Sequence, residues 1–201
     1  LLATGAGELL AITTTIFAGL PLIFLPAQIL WVNLVTNGLQ DVALAFEPKE
    51  IGVEERPPRS PGEGILNRTL WIRLGIIGVI IGVASLGIFI SALLIGAEVA
   101  HARTLAVTTI VFAQFFHVFN SRSERAPVFR QRPTENRFLF FSMIIAFVAQ
   151  MAFIYVPAMQ TIFRTTALNI TELLLTAVIA STVLIGSELD KWRLRARDAR
   201  A

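Results

Sequence analysis

The 201 residues include no cysteine, which excludes a disulfide framework and any thiolate metal centre and leaves the redox compartment unmarked. Charge is scarce as well. Asp, Glu, Lys and Arg make up 15% of the chain and the net charge is +3, so bulk charge gives no reason to expect nucleic acid as a partner. Three catalytic signatures are missing: a G-x-x-x-x-G-K-[ST] phosphate loop, a G-x-S-x-G nucleophile elbow and an H-E-x-x-H zinc pair. No stretch remains for a soluble nucleotide-holding domain, so the chain alone is expected to catalyse nothing. No basic n-region leads into a short apolar core and cleavage site, so no signal peptide is expected. The first methionine is Met143, so Leu1 is not expected to be a natural start, and the chain is expected to be the C-terminal portion of a longer one.

The chain is rich in apolar residues. It is 55% hydrophobic with a mean hydropathy of +0.69, too oily for an ordinary soluble domain. Six apolar segments run over Leu1–Leu20, Ala27–Phe46, Leu70–Ile95, Thr104–Phe119, Phe138–Val156 and Thr171–Glu188. Each is near the ~20 residues that cross ~30 Å of hydrocarbon as a helix. The pattern predicts an all-α polytopic membrane protein, a bundle of six transmembrane helices. It divides into a hairpin over residues 1–46, a Pro-rich connector over 47–69, a four-helix support region over 70–190 and a basic tail over 191–201.

Charge orients the bundle. Of the 17 Lys and Arg residues, only Arg103 and Arg164 fall in the connections of one side. The rest cluster in the connectors after the second and fourth segments and in the tail, and the positive-inside rule places those in the cytoplasm, the C-terminus included. Lys191-Trp192-Arg193 reads as a juxtamembrane anchor, with a regulatory segment as the alternative. In the connector, Arg56-Pro57-Pro58-Arg59 reads as an extended spacer, with a proline-rich ligand as the alternative. Gly75, Gly78, Gly82 and Gly87 thin one side of the third segment for close helix packing. His101 reads as a loop residue at a helix end.

Between Pro26 and Pro48 the apolar run carries Asn33, Thr36, Asn37, Gln40 and Asp41. Ionisable groups at membrane depth cost roughly 2.5–3.5 kcal/mol on insertion scales and mark ion paths or substrate sites. Asn33, Asn37 and Asp41 recur every four residues, which lines them along one helical face. Gly38 stands where a helix loosens and frees backbone carbonyls for a cation. Glu8, beside Gly5 and Gly7, is the other intramembrane carboxylate. The fourth segment adds Gln114, His117 and Asn120 as a polar stripe, for which interhelical hydrogen bonding is an equal alternative. Carboxylate, amide and hydroxyl oxygens without a thiol suit a hard cation such as calcium.

Leu30-Trp31-Val32-Asn33-Leu34-Val35-Thr36-Asn37-Gly38-Leu39 resembles the sixth transmembrane helix of P-type cation-transporting ATPases, in the branch of the calcium pumps. Gly7-Glu8, Glu55-Arg56-Pro57-Pro58-Arg59 and Asn120-Ser121 match the same family in order. The resemblance implies helices five to ten of a ten-helix pump. Its partners are then the lipid bilayer and the upstream domains of the same pump, and its membrane a bacterial plasma membrane. It implies that ATP and Mg2+ act only through those upstream domains, whose D-K-T-G-T and T-G-E motifs this chain lacks. It places Glu8, Asn33 and Thr36 on cation-ligand positions. Gly5, Asn37 and Gln114 depart from the animal calcium pumps, which carry Asn, Asp and Glu there. One transported ion per cycle is therefore expected rather than two, with Asp41 restoring part of the missing charge. Manganese, sodium, potassium and protons stay open as cargoes. A secondary transporter or channel subunit, using the same midplane groups without ATP, is the alternative function.

Overall fold

The computed structural model describes residues 2–48, 68–122 and 135–198, without the side chains of residues 36, 37, 194, 195, 197 and 198. Most of the expected connector over 47–69, the arginines 125, 130 and 132, and the end of the expected tail lie outside the described residues. Those that are described are helical: α1 (Leu2–Phe17), α2 (Pro26–Leu30), a π-helical turn (Trp31–Asn37), α3 (Gly38–Leu44), α4 (Arg68–Leu94), α5 (Val99–Ser121), α6 (Arg137–Tyr155), α7 (Pro157–Phe163), α8 (Ile170–Ala180) and α9 (Thr182–Asp198).

Local chemistry sets the breaks. After α1 and α4 the chain turns through Gly19 and Gly96, at φ +65° and +83°. In both places the next residue bonds back five positions (Leu20 to Thr15, Ala97 to Ala92), the Schellman closure that favours glycine. Pro26 and Pro157 open α2 and α7, where a missing N–H costs nothing. Asn136 caps α6 by accepting from the Leu139 N–H at 2.9 Å, and Asn169 with Glu172 forms a capping box on α8.

Four stretches are long and apolar enough to cross a membrane: Arg68–Leu94, Val99–Ser121, Arg137–Tyr155 and Ile170–Arg193. α1, at 16 residues, is shorter, and the second expected span changes helix type twice between Pro26 and Leu44. The segment expected over 104–119 starts earlier, at Val99, so His101 stands in a helix rather than a loop. Its ring nitrogens meet Thr166 Oγ1 at 2.9 Å and Glu172 Oε1 at 2.8 Å, tying α5 to the start of α8. α9 continues through the expected anchor, and Lys191 is buried, donating to the Asn120 carbonyl at 2.9 Å, while Trp192 is exposed.

α5 is the centre of the bundle, buried along most of its length, with α4, α8 and α9 packed on it. α4, α6 and α8 present Val79, Val83, Phe141, Ile145, Leu174 and Val178 outward, as a lipid-facing surface does. α1 packs against α4 at a backbone-to-backbone crossing. A Cβ on Gly78 would lie 2.9 Å from Ala6 Cβ, and one on Gly7 would lie 2.9 Å from the Gly78 carbonyl oxygen. Gly82 closes the same contact, whereas Gly75 and Gly87 face open space, so only the small-xxx-small pair of the four glycines packs. The two ends differ in charge. Arg103 donates to the Leu22 carbonyl at 2.8 Å and so shares an end with the first hairpin turn. Arg73, Arg122 and Lys191 gather at the other end.

Candidate cation site

The first two helices bring Glu8 and Asn33 together. Glu8 is 5% exposed, and its Oε2 accepts from Asn33 Nδ2 at 3.0 Å. The other carboxylate oxygen, Oε1, is buried with no hydrogen-bond partner among the described residues. Buried oxygens are nearly always matched, so a buried carboxylate between helices whose second oxygen is free of described partners is a candidate ligand for a donor or a cation.

The backbone beside it is irregular. Over Trp31–Asn37 the ladder widens to π-helical spacing, and such turns concentrate at functional sites. The Asn33 side-chain amide donates to the Ile29 carbonyl at 3.1 Å, the oxygen that an α-helix would give to the Asn33 backbone N–H. Gly38 itself is regular, at φ −60°, and its N–H closes the π turn on the Asn33 carbonyl. A Cβ there would stand 3.3 Å from that oxygen. The loosening expected at Gly38 thus falls on the seven residues before it, as a wider turn.

The other expected residues are placed as follows. The backbones of Thr36 and Asn37 belong to the π turn, and their side chains lie outside the described set. Gln114 is buried on α5, at 2% exposure. Asp41 stands eight residues beyond Asn33, about 12 Å along a helix axis. It lines a cavity of about 400 Å³ with Leu2, Arg73, His117, Asn120, Ser187 and Lys191. Glu8 and Asp41 therefore do not share one pocket wall, although each reaches α1 or its first turn. His117 and Asn120 open on the same cavity, so the expected polar stripe on α5 divides between it and Gln114. Among the described residues no three His, Cys, Asp or Glu side chains gather.

Sequence reasoning missed the amides that hold this helix from behind. Gln28 Nε2 donates to the Phe163 carbonyl at 3.0 Å, and Gln150 Oε1 accepts from Trp31 Nε1 at 3.1 Å. A lone Gln in the apolar run of α6 was the available signal. Asn136 Nδ2 donates to the Ala43 carbonyl at 3.0 Å and to Glu47 Oε2 at 2.8 Å, and Arg122 Nε to Glu47 Oε1 at 2.7 Å. Together they lock the end of α3.

An all-helical membrane bundle with a carboxylate–amide pair at a broken helix defines an integral membrane domain of the ion-transporting kind. The chain belongs to the cation-transporting ATPases: the family described as "Cation transporting ATPase, C-terminus" matches residues 21–193. It is 38% identical over 195 residues to a "Calcium-transporting ATPase" of Bacillus subtilis, covering 95% of this chain and 22% of that protein. It is 34% identical over 201 residues to "Calcium-transporting ATPase type 2C member 2" of Mus musculus, covering 98% of this chain and 21% of that one. A "Probable cation-transporting ATPase F" of Mycobacterium bovis is 32% identical over 198 residues, covering 98% of this chain and 22% of that protein. The chain thus spans about a fifth of the length of these curated relatives.

Proposed function

We propose that this domain binds and translocates calcium for an ATP-driven pump, one ion per cycle, with Glu8 and Asn33 at the centre of the site. The observation that carries the reading is the buried Glu8 carboxylate with one oxygen held by Asn33 and the other unmatched among the described residues. Thr36, Asn37 and Gln114 complete the oxygen set, with carbonyls of the π turn. Asp41 contributes charge along the approach rather than a direct bond, given its place in the neighbouring cavity. The hairpin over 1–46 is the transporting element, the helices over 70–190 its support, and the connector and basic tail face the cytoplasm of a bacterial plasma membrane. ATP and Mg2+ are handled by upstream domains, and their phosphorylation cycle tilts this hairpin so that the site opens alternately to each side. The relatives' names and the hard-oxygen chemistry together favour calcium.

The test is ATP-driven uptake of radioactive calcium into inside-out vesicles carrying the full-length protein, beside Glu8→Gln and Asn33→Ala. Uptake in the parent that both variants abolish or severely weaken is the expected result. Parental uptake in Glu8→Gln would remove the site from this carboxylate.

A further inference from the structure

Resting on the cation-site reading above, we propose that Gln150 is a positioning residue for that site. It fixes Trp31, and through Trp31 the rotation of the π turn that presents Asn33 to Glu8.

Gln150 is fully buried in α6, whose neighbouring residues are almost all apolar. Its Oε1 accepts from the Trp31 indole N–H at 3.1 Å, and its Nε2 donates to Thr108 Oγ1 on α5 at 3.3 Å. Both ends of the amide are therefore used, as burial in a membrane helix demands. Ordinary helix-to-helix adhesion would account for a bond to any neighbour. The partner here is the first residue of the π turn.

Trp31 is already confined. Its ring stacks on Phe153 at 4.9 Å and 23° and meets Phe163 edge-on at 5.1 Å and 62°. Those contacts hold the plane of the indole, and the bond to Gln150 sets where its N–H points. Asn33 lies two positions after Trp31, roughly half a turn, so they face opposite sides. Trp31 grips α6 and α7 while Asn33 reaches α1. A rotation that freed the indole would carry the Asn33 amide off the Glu8 carboxylate. A π turn alters the register of the helix around it, so the side chains that clamp it bear on which way its residues face. Gln28, bonded to the Phe163 carbonyl, holds the turn before it, and Trp31 clamps the start of the π turn that carries Asn33. Gln150 has no hydrogen bond to Glu8 or Asn33, so its loss acts on how well the cation is held rather than on the turnover of a filled site.

The experiment titrates calcium-activated ATP hydrolysis of the full-length pump for the parent, Gln150→Leu, Trp31→Phe and the double variant, with thermal stability measured alongside. Trp31→Phe keeps a six-membered ring for the stack and removes the donor along with the indole's smaller ring. Each single change is expected to raise half-saturating calcium about three- to tenfold, the range a net neutral hydrogen bond supports. Maximal rate stays within about twofold of the parent, because the filled site is unchanged. The double variant is no weaker than the worse single, since each single already lacks the Trp31–Gln150 bond. Gln150→Glu, protonated in this apolar setting, keeps an acceptor for the indole and restores near-parental affinity. The proposal is overturned by parental half-saturation in both single variants, by a lower maximal rate at unchanged half-saturation, or by effects that multiply in the double. Failure of both single variants to fold overturns it too, as the mark of a purely structural bond. A parent that no cation activates overturns the pump reading itself, whereas an activated parent with unshifted variants overturns only the positioning role.

Discussion

Gly82→Ala tests whether the crossing of α1 on α4 holds Glu8 in place. The added methyl would lie 2.8 Å from the Gly7 carbonyl oxygen, 3.0 Å from Leu10 Cδ2 and 3.3 Å from Gly7 Cα. Two of those three atoms are backbone, so no change of rotamer relieves the overlap. To reach ordinary contact at roughly 3.5 Å or more, the helices must part by about 0.5–1 Å. Overpacking of this kind costs about 1–3 kcal/mol. Gly75→Ala on the same helix is the matched control, because its methyl meets open space. There the better helix propensity of Ala contributes up to about 1 kcal/mol in favour. Thermal unfolding of the detergent-solubilised full-length pump should separate the two, by roughly 2–4 °C per kcal/mol in a domain of this size and less in a larger chain. Because Gly7 adjoins Glu8, the displaced α1 also draws the carboxylate away from Asn33, and half-saturating cation rises in Gly82→Ala alone. If the two variants melt together and bind cation alike, the crossing does not position the site.

Two further outcomes follow from single contacts. Asn136→Ala removes an N-cap together with bonds to the Ala43 carbonyl and the Glu47 carboxylate, and should destabilise by about 2–3 kcal/mol in thermal unfolding. Asn136→Asp keeps the cap but faces Glu47 with a second carboxylate, so recovery to parental stability would refute the role given to the donor. Asp41→Asn should raise half-saturating calcium about threefold, the effect of one charge on a divalent ion at about 12 Å in a water-like dielectric. Unchanged affinity would remove Asp41 from the site's electrostatics.

Much of the bundle is legible in the sequence because lipid imposes one rule throughout: backbone groups must bond within the segment, so apolar runs of the right length become helices. The four spans Arg68–Leu94, Val99–Ser121, Arg137–Tyr155 and Ile170–Arg193 follow from that rule. Glycine and proline mark most of the breaks at Gly19, Pro26, Gly96 and Pro157. The polar residues of the second segment stand out because amides are costly in hydrocarbon, which is why Asn33 and Glu8 are candidates before any fold is known. Less was legible at the ends of helices. His101 reads as a loop residue because its partners, Thr166 and Glu172, come more than sixty positions later. Lys191 reads as an interfacial anchor, yet it is buried against the end of α5.

The sequence by itself determined the helical class, the membrane setting and the family, since each depends on composition, spacing or a short motif read along one strand of chain. The tertiary structure decided the rest. It made Gly78 and Gly82 a contact while leaving Gly75 and Gly87 open, and joined Asn33 to Glu8 while setting Asp41 in a separate cavity. It also widened the helix over Trp31–Asn37 and clamped it from behind with Gln150. The physical reason is that these are matters of which helix face meets which, and rotation about a helix axis is fixed by packing partners distant in the chain rather than by local preference.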